Sequence, residues 1–135
     1  MKVVIDTNII LVSVSDRSPF HWVYRSLIEK KFNLCVTTDI LLEYEEIIEE
    51  NMGQDVSENI LITLLKLSNI EFITRYYRWE LIKADYDDNK FADCAIAANA
   101  DYLVTNDKDF NILKKIDFPK INVINLDEFK AIIFK

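Results

Sequence analysis

The sequence predicts an α/β protein, a three-layer α/β/α sandwich with a central parallel sheet of about four or five strands. Short β-branched runs alternate with segments of helical apolar spacing along the whole chain. Such alternation favours parallel strands that are joined by right-handed crossovers, with helices on both faces of the sheet. No internal repeat or low-complexity linker divides the 135 residues, so 1–135 is predicted to be a single domain.

The first part of the chain predicts two strand–helix units. Residues 2–5 are a β-branched run typical of a strand, and residues 20–31 carry apolar side chains at helical spacing. Residues 33–37 predict the second strand. The helix predicted at 40–51 follows a polar stretch that ends at Asp39, as helix starts commonly do.

The rest of the chain continues the alternation. Gly53 is the only glycine, and it predicts a turn over residues 52–57. The elements predicted after this turn are a helix at about 58–68, a strand at 71–74, a linking stretch through 79–86, a helix at 91–100, a strand at 102–105, a short helix at 110–115, a strand at 122–125 and a helix from 127.

Composition narrows the class of protein. The longest apolar runs are far shorter than the roughly 20 residues of a membrane span, and no basic segment leads into a signal-peptide core. We therefore expect a soluble cytoplasmic protein without membrane contact. Cys35 and Cys94 lie in apolar stretches, which favours buried free thiols over a disulfide. The net charge of −7 disfavours long-range attraction of a polyanion, although acids gathered around metal ions explain part of that charge.

Acidic and polar residues follow two of the predicted strands. Ligands of parallel α/β folds collect at the carboxyl ends of the strands, so the residues at these positions are candidates for a site. They are Asp6, Thr7 and Asn8 after the first strand, and Thr105, Asn106 and Asp107 after the fourth. The alternative for Asp6 and Asp107 is helix N-capping, which acids at strand-to-helix turns often perform.

Three further acids lie on or beside predicted helices. Glu43 is at the edge of an apolar helix face, where an unpaired carboxylate would be costly to desolvate, although it could be one more surface acid. Asp93 lies in a helix of small apolar residues and needs a metal, a cation or a hydrogen-bond donor if it is buried; stabilisation by the helix dipole is the alternative. Asp88 and Asn89 could cap that helix, and Asp88 could also contact a metal.

These acids suit metal-assisted hydrolysis of a phosphodiester, because Mg²⁺ and Mn²⁺ prefer oxygen ligands and can activate a water for attack on phosphorus. The polar neighbours Thr7, Asn8, Thr105 and Asn106 would orient the acids or contact phosphate, and caps and turns are equally good roles for them. The sequence lacks the residues that other kinds of active site need. His21 is the only histidine, the two cysteines are far apart, and no phosphate-binding glycine loop is present.

Three segments of the chain together resemble the PIN-domain family, and specifically its small prokaryotic members, the VapC-like toxins of toxin-antitoxin pairs. The first is Val3 to Asn8, and the second is the stretch Leu41 to Glu46 around Glu43. The third runs from Asp87 through Asp93 to Phe110 and includes the sequence from Tyr102 to Asp107. The likeness covers nearly the whole chain, and the order and spacing of the segments carry it.

The resemblance implies a PIN-like fold and a Mg²⁺- or Mn²⁺-dependent endoribonuclease whose acidic quartet is Asp6, Glu43, Asp93 and Asp107. It implies Asp88 as an additional or replacement metal ligand, ranked below Asp93. It also implies RNA as the substrate, an antitoxin protein as a partner that covers the acidic site, and a homodimer. A basic segment of such a partner would be complementary to the negative charge of this chain.

Two alternative functions stay open. The first is a catalytically silent PIN-fold module that binds protein or RNA. The second is a receiver-like phosphotransferase, which would need a second aspartate two positions after Asp6, where the sequence has Asn8. Arg17, Lys90 and Lys108 lie near the acidic segments and are candidate phosphate contacts, although each could be a solvated surface charge.

Overall fold

The structure, a computed structural model, describes residues 1–135. Its centre is a sheet of five parallel strands in the order β3-β2-β1-β4-β5. The strands are β1 (Lys2–Ile5), β2 (Asn33–Val36), β3 (Ile70–Phe72), β4 (Tyr102–Val104) and β5 (Val123–Ile124). The predicted α/β/α sandwich with a parallel sheet is confirmed.

Six α-helices flank the sheet. They are α1 (Thr7–Ser13), α2 (His21–Ile28), α3 (Thr38–Met52), α4 (Gln54–Lys66), α5 (Asn89–Ala98) and α6 (Leu126–Ile133). A 3₁₀ turn, Tyr86–Asp88, leads into α5, and a 3₁₀ helix, Lys108–Lys115, follows β4. None of the helices combines the length and the apolar character that crossing a membrane requires.

The core lies on both sides of the two central strands. All of β1 after Lys2 is buried, as are Leu103 and Val104 of β4. Burial on both faces explains why these strands are continuous apolar runs and do not alternate with polar residues. Complete burial of a valine or leucine side chain contributes about 1.5–3 kcal/mol, so these strands anchor the residues that follow them.

The helices and strands shift from their predicted bounds by a few residues, the short helix predicted at 110–115 is the 3₁₀ helix Lys108–Lys115, and two differences are larger. Residues 7–13 form helix α1, which the sequence pattern missed because the unbroken apolar run 9–12 has no helical spacing. Helix α4 begins at Gln54 and not near residue 58, because Gly53 alone makes the turn, with φ at 93°. Glycine adopts this φ without the steric penalty that other residues incur, so one residue separates α3 from α4.

The chain between β3 and the 3₁₀ turn, here called the 73–85 segment, has no helix or strand. It is held against α5 by hydrogen bonds. The Trp79 backbone N–H donates to Asp93, and Ile82 exchanges two hydrogen bonds with the side chain of Asn89. Ile82 is fully buried, so an irregular segment is fixed along the helix that carries Asp93.

Candidate metal centre

The first two acids of the site come from the paired ends of β1 and β4. Ile5 pairs with Val104, so the next residues of the two strands, Asp6 and Thr105, lie side by side. The Thr105 hydroxyl donates to Asp6 Oδ2 at 2.9 Å, and the Asp107 backbone N–H donates to the same hydroxyl at 3.0 Å. Burial is the main cause that raises the pKa of Asp6, with the Thr105 bond opposing it and the Asp107 charge adding to it. Both acids therefore belong to one linked group.

Helix α3 brings Glu43 to the same edge of the sheet. The Tyr44 hydroxyl is buried and donates to the Ile5 carbonyl, which fixes α3 against the end of β1. Glu43 accepts a hydrogen bond from the Thr7 hydroxyl and an ion pair from Lys90 Nζ at 2.8 Å. Glu43 therefore lies at the site and is not a solvated surface acid, and Lys90 is its partner.

Asp88 completes the acidic edge from the start of α5. Carboxylate oxygens of Asp88, Asp107 and Asp109 lie within 4.8 Å of one another. Asp88 Oδ2 is buried and has no hydrogen-bond partner. Burial first, and then the charges of Asp85 and Asp107, raise the pKa of Asp88 to about 7. An all-oxygen set of ligands with an unsatisfied buried oxygen fits a hard divalent cation, which would neutralise these acids.

The structure places Asp93 in a different environment. Its side chain is 2% exposed and accepts the Trp79 backbone N–H at 3.1 Å. Arg75 Nη1 lies 3.4 Å from Asp93 Oδ2, while Arg75 Nη2 pairs with Asp39 at 3.4 Å. Burial raises the pKa of Asp93, and the bonds to Trp79 and Arg75 oppose that rise. The protein itself therefore supplies the cation and the hydrogen-bond donor that a buried Asp93 needs.

The alternative role of helix capping applies to only one of these acids. Asp107 does cap the 3₁₀ helix, because its carboxylate accepts the Asp109 backbone N–H at 2.9 Å. Asp6 and Asp88 precede α1 and α5 without a side-chain capping bond. Asn89 does not cap α5 either, since its amide binds the backbone of Ile82. Capping therefore accounts for one oxygen of Asp107 and leaves Asp6 and Asp88 without that structural explanation.

The remaining predicted residues have varied positions. Asn106 accepts the Leu126 backbone N–H at 3.0 Å, and Asn8 is exposed at the mouth of a cavity beside Asp6. Arg17 and Lys108 are exposed and form no ion pair. Both cysteines are buried free thiols as predicted, and burial raises the pKa of Cys35 to about 11.

Sequence reasoning assigned no role to Asp109 or Arg75. The signal for Asp109 was available, because an acid two residues after Asp107 in a turn can direct its carboxylate to the same point. No sequence signal marks Arg75, since its partner Asp93 is 18 residues further along the chain and the 73–85 segment has no periodicity.

Comparisons with known proteins agree with this architecture. The profile of the PIN domain family matches residues 2–109. The chain is also similar to a solved structure, VapBC2 from Rickettsia felis bound to a DNA fragment from their promoter. The TM-score is 0.64 at 23% sequence identity, and the alignment covers 93% of this chain and 98% of the other. No curated protein sequence matches the chain. At this identity the structural likeness supports the fold alone.

Proposed function

Because the chain belongs to the PIN domain family, we propose that it is a metal-dependent endoribonuclease and the toxin component of a type II toxin-antitoxin system. The observation that carries the proposal is the buried, unpartnered oxygen of Asp88 in a cluster with Asp107 and Asp109. Repulsion among unpaired carboxylates at one sheet edge is a cost that a bound cation removes, and such sites are common in enzymes.

We propose that Asp6, Glu43, Asp88 and Asp107 hold Mg²⁺ or Mn²⁺, with Asp109 as an additional acid. This ranks Asp88 above Asp93, the reverse of the order implied by the sequence resemblance, because the charges of Asp6 and Asp107 act on Asp88, whereas the charges that act on Asp93 are those of Arg75, Arg78 and Asp39. Glu43 stays in the set although Lys90 pairs with it, because its charge acts on Asp6. When bound, the ion would acidify a water for in-line attack on phosphorus and stabilise charge on the phosphoryl oxygens.

The protein groups around these acids have a positioning role. The Thr105 hydroxyl holds one oxygen of Asp6 and leaves the other oxygen without a side-chain partner. Thr7 and Lys90 fix the two oxygens of Glu43. Hydrogen bonds of this kind orient ligands and hold them in the ionised form, and their loss commonly costs 10–100-fold in metal affinity or activity, as an order of magnitude.

Cleavage of single-stranded and structured RNAs, with Mg²⁺, Mn²⁺ or EDTA, tests the proposal. We expect metal-dependent cutting by the wild type and a loss of at least about 100-fold in Asp88→Asn and Asp107→Asn, because each removes a ligand charge. Asp117→Asn is the matched control, since Asp117 is exposed and outside the cluster. If the wild type neither cuts RNA nor binds Mn²⁺ through these acids, the chain is a catalytically silent binding module.

The same proposal includes two protein partners. An antitoxin with a basic segment would be electrostatically complementary to a chain of net charge −7. The fold resembles that of VapBC2, which was solved bound to a DNA fragment from its promoter, and we extend a partner of that assembly to this chain as part of the proposal. We also propose a homodimer, which light scattering of the purified chain would measure directly.

A further inference from the structure

A cavity of about 350 Å³ opens directly beside the candidate metal centre. Asp6 and Asp107 line it together with apolar side chains, among them Val12, Phe20 and Leu126. Metal binding needs only the carboxylates, so the apolar wall is a separate feature of the same cavity.

The aromatic ring in this wall is available for contact. Phe20 is 39% exposed and pairs with no other aromatic ring in the structure. It lies at the start of α2, where its backbone N–H is held by the Ser18 hydroxyl at 3.1 Å. An exposed ring on a fixed backbone is a suitable surface for stacking a planar group.

Two amides complete the cavity. Asn106 accepts the Leu126 N–H through Oδ1, which orients the amide and leaves its Nδ2 donor without a protein partner. Asn8 is exposed at the same cavity. Amide side chains can donate to and accept from the edge of a nucleobase at once, so they can distinguish bases.

Resting on the proposed nuclease function, we propose that this cavity binds the base of the nucleotide next to the cleaved phosphate in single-stranded RNA. A phosphate at the metal that Asp6 and Asp107 hold would bring its neighbouring nucleoside to the adjoining cavity. The volume lies at the lower end of the roughly 300–1,000 Å³ of small-molecule sites, which suits one nucleoside. Only an unpaired base can be turned outward to stack on Phe20 and present its edge to the amides.

The charge of the protein supports a base as the occupant. A chain of net charge −7 repels the phosphate backbone, whereas the base is the uncharged part of RNA. Stacking and amide hydrogen bonds therefore add affinity that does not depend on lysine or arginine contacts. They also select the cleavage position, because the phosphate next to a preferred base is held at the metal.

The test is the mapping of cleavage sites in a random-sequence single-stranded RNA with Mn²⁺. We expect the wild type to prefer particular bases at one position beside the cut, by at least about fivefold, which is the weak end of the discrimination that amide contacts to a base edge provide. Asn8→Ala removes one of the two amides, so it should reduce this preference. Phe20→Leu keeps the apolar volume and removes the ring, so it should weaken the binding of every sequence. Phe72→Leu, at a phenylalanine 60% exposed on β3 and outside the cavity, should change neither.

A binding measurement separates this proposal from the nuclease itself. In the Asp88→Asn protein, fluorescence anisotropy would compare an RNA pentamer with the same pentamer lacking its central base. Tighter binding of the complete pentamer, lost on adding Phe20→Leu, supports the cavity even if no RNA is cut. Cleavage by the wild type, with base preference unchanged by Asn8→Ala and affinity unchanged by Phe20→Leu, would overturn the cavity proposal and leave the nuclease intact.

Discussion

Asp88 ends the 3₁₀ turn that precedes α5 and Asp93 lies in the middle of α5, five residues later, yet their surroundings differ. Asp93 is buried with its own cation and donor, Arg75 and the Trp79 N–H. Asp88 is half-buried, has an oxygen without a partner, and faces the carboxylates of Asp107 and Asp109. Burial alone therefore does not distinguish the two acids; the presence or absence of a protein partner does.

The difference follows from the cost of desolvating a charge. A buried carboxylate must be neutralised by a cation, by hydrogen bonds or by protonation. The protein supplies the first two at Asp93. At Asp88 it supplies neither, and burial together with neighbouring acids raises the pKa of this carboxyl to about 7. Three predictions sharpen this comparison.

The largest expected effect is on metal affinity. Asp88→Asn should weaken Mn²⁺ binding at least about 100-fold, because a charged ligand is lost, whereas Asp93→Asn should leave the affinity unchanged. Calorimetric titration of the two variants measures both values under one condition. Equal weakening in both would show that Asp93 moves to the metal and would break the comparison.

The next effect is on stability at the Asp93 end of the helix. Arg75→Ala leaves a buried charge with one donor, so the free energy of unfolding should fall by about 2 kcal/mol, less than for a wholly buried pair because Arg75 is partly exposed. Arg78→Ala removes a neighbouring exposed arginine without an ion pair and should cost under about 0.5 kcal/mol. Urea unfolding measures both.

A rescue experiment checks that prediction. Asp93→Asn in the Arg75→Ala protein removes the unpaired charge while an amide oxygen can still accept the Trp79 N–H, so part of the lost stability should return. Equal costs for Arg75→Ala and Arg78→Ala would instead mean that Asp93 does not depend on its cation.

The third effect is the pH dependence of stability in EDTA. Asp88 has a pKa of about 7 in the folded protein against 3.8 as the ordinary value, so between these values the folded state holds a proton that the unfolded state has released. The free energy of unfolding should therefore decrease from pH 5 to pH 8. Asp88→Asn should flatten this decrease more than Asp93→Asn, whose raised pKa is opposed by Trp79 and Arg75. Urea midpoints across this range give the slopes.

Much of the fold could be predicted because its signals are local. The β-branched run of β1, and the apolar spacing of α3, are visible in a few consecutive residues. Helix α1 was missed because burial of Ile9 and Ile10 is determined by packing and not by a periodic pattern. The start of α4 was misplaced because a single glycine, and not a longer loop, makes the turn at Gly53.

The candidate site was predictable where it depends on strand ends. Asp6 and Asp107 follow from the rule that parallel strands end at one edge, and their neighbour Thr105 proves to connect them. The different surroundings of Asp88 and Asp93 were not predictable, because they depend on Arg75, which reaches Asp93 from the irregular 73–85 segment. A contact between a loop and a helix leaves no pattern in the sequence.

Gly53 lies between the two parts of the chain that supply the acids of the candidate metal centre. The chain before it supplies Asp6 and Glu43, and the chain after it supplies Asp88, Asp107 and Asp109. Gly53 is exposed, and nothing lies within 4 Å of the position that a side chain there would begin to occupy. A break in the backbone at this turn would leave each fragment with an incomplete set of acids. Recovery of metal binding on mixing the two fragments would then report their reassembly, so the position of one glycine makes this chain suitable for complementation assays.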